Sequence, residues 1–233
     1  LTLDAWVERM KEEVKTCPVT MFRSQLRHFL PGDHCEAADK LPKMMPAAEF
    51  RKTEGGQCMK AYNGLVELTV GPLAGRAEVE QVKREAWKLP QTRCAFMGAS
   101  GHSVKILVAF TRPDNTLPLT RAEAEAFHAH AYIMAVKCYQ PQLSFDIRPK
   151  EPFLEQYSRL SYDPDVLYRP DSVQFYLSQP MGMPDEMALH TEPAVSGQRP
   201  LERALGSYET ADALSMLFEA ALRQAYIDLD KPD

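Results

Sequence analysis

Apolar positions along the chain switch between a period near 3.6 and short, β-rich apolar runs, and the switches mark the elements. Leu3, Val7, Met10 and Val14 share one helical face, with Asp4, Glu8, Glu12 and Glu13 elsewhere. Residues 3 to 15 are therefore expected to form an amphipathic helix that Cys17-Pro18 ends. Two prolines in Lys40-Leu41-Pro42-Lys43-Met44-Met45-Pro46 exclude a long helix there, and Thr53-Glu54-Gly55-Gly56 reads as a turn. Asn63-Gly64 introduces a strand, Leu65 to Val70, that Gly71-Pro72 closes. A helix follows over residues 76 to 89, with Val79, Val82 and Ala86 on one face and Pro90 as its stop. Cys94 to Met97 and Val104 to Phe110 are apolar runs separated by a small, polar turn. Strand, helix, strand in that order suggests a βαβ-type unit followed by a hairpin.

Residues 120 to 139 form the clearest helix of the sequence. Thr120 and Glu123 fit a capping box, and Phe127, Ala131, Met134 and Cys138 repeat at core spacing. Pro141 ends it, and Leu143 to Ile147 reads as a short strand with Asp146 inside. Asp163-Pro164 favours a turn, and Val173 to Leu177 reads as a last strand. From residue 178 the composition changes. Pro180, Pro184, Pro193 and Pro200, with Gly182 and Gly197, predict a linker or surface arm. Leu214, Leu217, Ala221, Leu222 and Ala225 stripe a terminal helix over residues 207 to 229. The expected organisation is an N-terminal helical extension (1–50), an α+β domain (51–178), a Pro-rich linker (179–205) and a C-terminal helix (206–233).

Composition narrows the function classes. The chain has 233 residues, 45% of them hydrophobic and 25% charged, enough for a domain with a real core. A formal charge of −5 argues against coating nucleic acid through bulk charge, though not against a local basic groove. Five cysteines, at 17, 35, 58, 94 and 138, show no C-x-x-C spacing and read as reduced thiols of a cytoplasmic protein. No apolar run approaches the roughly 20 residues that span a bilayer, and no signal peptide is evident. Because the chain opens on Leu1, it reads as a trimmed or partial chain of something longer.

The turn between the paired strands carries the most suggestive chemistry. Gly98-Ala99-Ser100-Gly101-His102-Ser103 can turn tightly and expose backbone N–H groups, as phosphate-holding loops do. Lys105 interrupts the apolar strand just beyond it, and a lysine there is expected to face a polar cleft. An ordinary hairpin with Lys105 on a solvent face is the alternative. His128-Ala129-His130 lacks the i, i+4 spacing of metal-binding helices and reads as two helix-surface histidines. His34-Cys35 has no matching second half, so zinc is not expected. A two-metal nucleotidyl-transfer site needs carboxylates converging on cations about 4 Å apart. The strand at 65–70 offers Glu67 alone, and Asp146 sits alone on a later strand. A solvent-facing Glu67 is as compatible with the pattern as a functional one.

Several segments together resemble a known family. Gly64 to Leu73 looks like its first strand, and Leu89-Pro90-Gln91-Thr92 with Ala95 to Ile106 looks like its hairpin. Phe127 to Tyr132 looks like its helix, and Arg159-Leu160-Ser161-Tyr162-Asp163-Pro164-Asp165 like its closing motif. Lys40 to Pro46 fits the upstream pattern. The family is the VirE N-terminal-like domain of Bacteroides-type mobile elements, which is similar to the archaeo-eukaryotic primase superfamily. The resemblance runs from about Lys40 to Leu177 and implies a primase-like two-layer domain, a mixed β-sheet packed by helices. In active primases the first strand bears Asp-x-Asp, the hairpin a Ser-x-His-like element, and a later strand a third aspartate. Here the paired aspartates fall on Thr69 and Gly71, the histidine on Lys105, and the third aspartate on Asp146. Thr69 and Gly71 cannot hold divalent cations as carboxylates do.

The resemblance thus implies a non-catalytic nucleic-acid- or nucleotide-binding module of a mobile-element replication or mobilisation protein. Ser100, Gly101, Ser103 and Lys105 would contact phosphate, and Arg159 and Asp163 would order the adjoining cleft. One rival is an active primase-polymerase that uses Glu67 and Asp146 with Mg²⁺, Asp146 being the metal ligand. Another is a structural adaptor that docks a downstream helicase-like domain through the terminal helix.

Overall fold

The computed structural model describes residues 2–12, 18–26, 35–53 and 56–178. The expected arm and terminal helix lie outside the described residues, as does Val14. In chain order the elements are α1 (Leu3–Lys11), α2 (Pro18–Leu26), α3 (Glu36–Asp39), β1 (Lys43–Met44), β2 (Ala48–Thr53), β3 (Gly56–Tyr62), β4 (Leu65–Val70), α4 (Arg76–Trp87), β5 (Thr92–Met97), β6 (Val104–Thr111), α5 (Arg121–Tyr139), β7 (Ser158–Arg159), β8 (Leu167–Tyr168) and β9 (Phe175–Tyr176). This is an α+β fold.

The main sheet has the order β4-β6-β5-β8, with β9 added parallel to the last two residues of β6, Phe110 and Thr111. β6 is antiparallel to both β4 and β5, so β4 and β5 run parallel with β6 between them. The strand–helix–strand expectation is therefore met as a split βαβ unit, and the hairpin partner β6 fills the gap. Two-stranded ribbons β2-β3 and β1-β7 stand beside this sheet.

Alternation on the strands gives the sheet two apolar faces. Val66, Leu68, Val70, Ile106 and Val108 point to a core closed by Val79, Val82 and Ala86 of α4 and by Phe127, Ala131, Ala135 and Tyr139 of α5. Cys94, Phe96 and Leu107 point the other way, to Trp6, Val7 and Met10 of α1 and Val19 and Phe22 of α2. The N-terminal helices thus cover the second face of the same sheet, and β2 runs through residue 50.

Three local expectations are corrected. α1 ends at Lys11, and Pro18 is the first residue of α2, where its missing N–H and fixed φ suit a helix start. The buried stripe of α5 is Ala124, Phe127, Ala131, Ala135 and Tyr139, with Met134 and Cys138 on its flank. Residues 143–147 form no strand; Ile147 makes a single bridge to Val70 along the outer edge of β4. The Thr120 cap is present: its hydroxyl accepts from Glu123 N at 3.3 Å.

Candidate functional site

The polar cluster of interest grows out of sheet register. Thr69 lies opposite Lys105, and Glu67 stands two residues along β4 on the same face. A lysine is long enough to span both. Lys105 Nζ donates to Glu67 Oε1 and to Thr69 Oγ1, each at 2.8 Å. A second ammonium arrives from the segment after α5, which runs along the β4 edge through Arg148 N to Thr69 O at 2.7 Å. Its Lys150 Nζ reaches Glu67 Oε1 at 3.2 Å. Ser158 of β7 donates its hydroxyl to Glu67 Oε2. Burial pushes the Glu67 carboxyl up, but the charges of Lys150 and Lys105 and the Ser158 hydroxyl outweigh it and hold the group at about 2. Burial also pulls the Lys150 ammonium down, against the pull of Glu67.

Glu67 is only 6% exposed, whereas Lys105 and Lys150 keep 22% and 15% of their side chains open. The acid is saturated inside, and the excess positive charge faces outward. Beside it, a small pocket is lined by Leu65, Glu67, His128, Tyr132, Lys150 and Phe153. His128 is buried, which corrects the helix-surface reading. Its Nδ1 lies 3.1 Å from Tyr62 Oη. Burial, with the Lys150 charge, pushes the imidazole down to about 3, so it is neutral and shares this hydrogen bond with the phenol.

The glycine- and serine-rich turn is organised differently. Gly98 N donates to Ser103 O at 2.8 Å, Gly101 N to Gly98 O at 2.9 Å, and His102 N to Ser100 Oγ at 3.3 Å. Gly101 has φ +83°, the left-handed conformation that favours glycine. Two carbonyls of the turn are held by Arg23 of α2, which donates to Ala99 O at 2.9 Å and Gly98 O at 3.2 Å. The same guanidinium reaches Ser161 Oγ and Tyr162 O, both at 3.1 Å. Ser103 is buried. Lys105 has its side-chain partners in Glu67 and Thr69 rather than in this turn.

The remaining expected residues occupy three separate places. Asp146 is exposed and accepts from Gln140 Nε2 at 3.5 Å; it shares no partner with Glu67. Arg159 donates to Ala38 O at 2.9 Å and to Asp39 Oδ1 at 3.2 Å, tying β7 to α3. Asp163 is fully buried against Lys83 Nζ, at 3.1 and 3.0 Å from its two oxygens. It also accepts from Met97 N at 2.7 Å and Asp165 N at 3.1 Å. Glu80, Asp163 and Asp165 bring oxygens within 4.8 Å of one another, but the Lys83 ammonium already sits on two of them.

The profile of the family described as BT4734-like, N-terminal domain, matches residues 36–168. The chain belongs to this family. No curated protein and no solved structure matches the chain. The matched part of this BT4734-like domain runs from α3 through β8 and contains every residue of the Glu67 cluster. It leaves out α1 and α2, and with them Arg23. Among the described residues, no helix is long and apolar enough to cross a membrane.

Sequence reasoning missed Lys150, Ser158, Arg23 and Lys83. Lys83 had a readable signal: it falls on the Val79–Val82–Ala86 face of α4, where a charge must find a partner. His128 had one too, because apolar residues surround it on α5. Lys150 lies in an irregular segment and Ser158 in a two-residue strand, where nothing local announces a contact 83 or 91 residues away.

Proposed function

We propose that this BT4734-like domain is a non-catalytic nucleic-acid- or nucleotide-binding module, related to VirE N-terminal-like and primase-like domains of mobile-element proteins. The observation that carries the reading is the convergence of Lys105 and Lys150 on one buried carboxylate, Glu67. A metal-dependent polymerase needs carboxylates free to bind cations. Here Glu67 is neutralised by two ammonium groups and a hydroxyl, and Asp146 turns to Gln140. What remains at the surface is net positive charge beside a groove, which suits a phosphate.

The test is binding of a labelled single-stranded oligonucleotide and of a nucleotide, with and without Mg²⁺, to the wild-type protein and to Lys105→Ala. The variant is expected to weaken oligonucleotide binding several-fold and to lower the salt slope by about one counterion. Circular dichroism separates this from loss of fold. Mg²⁺-dependent primer extension abolished by Asp146→Ala would overturn the reading in favour of catalysis. Absence of binding in every condition would leave the adaptor reading, with residues 206–229 as the element to delete.

A further inference from the structure

The segment after Lys150 builds an open groove that the Glu67 cluster does not use. Phe153, Gln156, Tyr157 and Arg159 line it, and Phe153 and Tyr157 are each 41% exposed. Lys43 of β1 lies opposite Arg159 in the β1-β7 ribbon, and its Nζ stands 4.5 Å from the Tyr157 ring centre. The Arg159 guanidinium is 5.5 Å from the same ring. Among the described residues Lys43 makes no ion pair, so its charge is available to a ligand. The acid on this surface is already neutralised: Glu155 binds Arg121 at 2.5 Å. Phe153 and Gln156 also wall the Glu67–Lys150 pocket, so groove and lysine cluster adjoin.

An ammonium without an ion pair beside Tyr157, with Phe153 in the same groove, matches an unpaired nucleobase with its phosphate. Stacking uses an exposed aromatic side chain, and a cation without a carboxylate partner meets a phosphate with its full charge. Gln156 adds an amide that can donate to and accept from a base edge. A duplex hides its base faces, so the fit is to a single strand.

We propose that Phe153 and Tyr157 form a stacking platform for a base of single-stranded nucleic acid, with Lys43 on the adjacent phosphate. The proposal rests on the nucleic-acid reading above and assigns it a second contact surface, adjoining the first. The experiment compares an oligonucleotide with one of equal length and charge that carries abasic positions. It uses the wild-type chain and the Phe153→Leu and Tyr157→Leu variants, whose exposed positions tolerate the change. Wild type is expected to prefer the base-bearing strand by roughly tenfold. Each variant should lose most of that preference and keep its salt slope, while Lys43→Gln should lower the slope. A 2-aminopurine in the strand should be quenched by wild type and by Tyr157→Trp, and less by Tyr157→Leu. If wild type binds both strands equally, or the leucine variants keep the preference, the platform is wrong while the Lys105 reading stands. If a mononucleotide competes as well as the strand does, the ligand is a nucleotide and the strand assignment falls. If wild type binds no oligonucleotide at all, both readings fail.

Discussion

Lys83 and Asp163 show what one buried charge commits the chain to. Both side chains are all but inaccessible, and Asp163 also anchors the Met97 and Asp165 amides. Removing the lysine leaves a carboxylate in the core with no counter-charge. Lys83→Met is therefore expected to destabilise the fold by about 3–5 kcal/mol, read as a lower urea midpoint. Asp163→Asn should cost less, since Asn can still accept from Met97 N and Lys83 keeps Glu80 at 3.1 Å. If Lys83→Met leaves the midpoint unchanged, the pair is not buried as described. The same logic assigns Asp163 to holding β5 against α4, a role the motif Ser161-Tyr162-Asp163-Pro164-Asp165 did not reveal by itself.

At the level of elements, the entry to β4 fixes where Glu67 and Thr69 stand. Gly64 has φ +67°, and its carbonyl accepts Phe110 N at 2.8 Å. A Cβ there would meet Phe110 O at 2.4 Å and Leu117 Cδ2 at 2.9 Å. Backbone cannot retreat as a side-chain end can, and the left-handed conformation adds its own cost. Gly64→Ala is expected to lose at least about 2 kcal/mol, measured by thermal or urea unfolding. A neutral result would mean that the β4–β6 register does not depend on this approach. The Asn63-Gly64 signal was readable as a turn. That it seats β4 against the far end of β6 was not, because the partner lies 46 residues on.

Taken as a whole, the molecule is expected to be acid-sensitive in two overlapping stages. His128 is buried and neutral, with its value lowered from 6.5 to about 3, so the unfolded chain binds the proton first. Its contribution is complete above pH 6.5 and is lost as pH falls toward 3. Glu67 is lowered from 4.5 to about 2, so its contribution is complete above 4.5 and is lost toward pH 2. Both have the same sign. Urea midpoints against pH should fall below about 6.5 and steepen below 4.5, and His128→Asn should flatten the upper stage alone. A midpoint that stays level from pH 7 to pH 4 would contradict the buried, neutral imidazole.

The main elements were legible because their signals are local. Apolar, β-rich runs bounded by turn residues gave β4 and β6, helical spacing gave α4, and the Thr120 cap began α5. The ribbons β1-β7 and β2-β3 were not, since two-residue strands and polar hairpins carry no periodic pattern. Lys105 could be singled out as a cation in an apolar strand, but its partner could not, because strand order decides which acid faces it. Inserting β6 between β4 and β5 is what brings Lys105 to Glu67. The sequence by itself determined the types of the long elements β4, α4, β6 and α5, the polar turn and the absence of paired aspartates, all properties of neighbours along the chain. Only the tertiary structure decided that Glu67 is buried, that Lys150 and Ser158 share it, and that Arg23 of α2 binds two carbonyls of the turn. Those contacts join segments separated by tens of residues, and side-chain reach across a fixed register, not local preference, selects them.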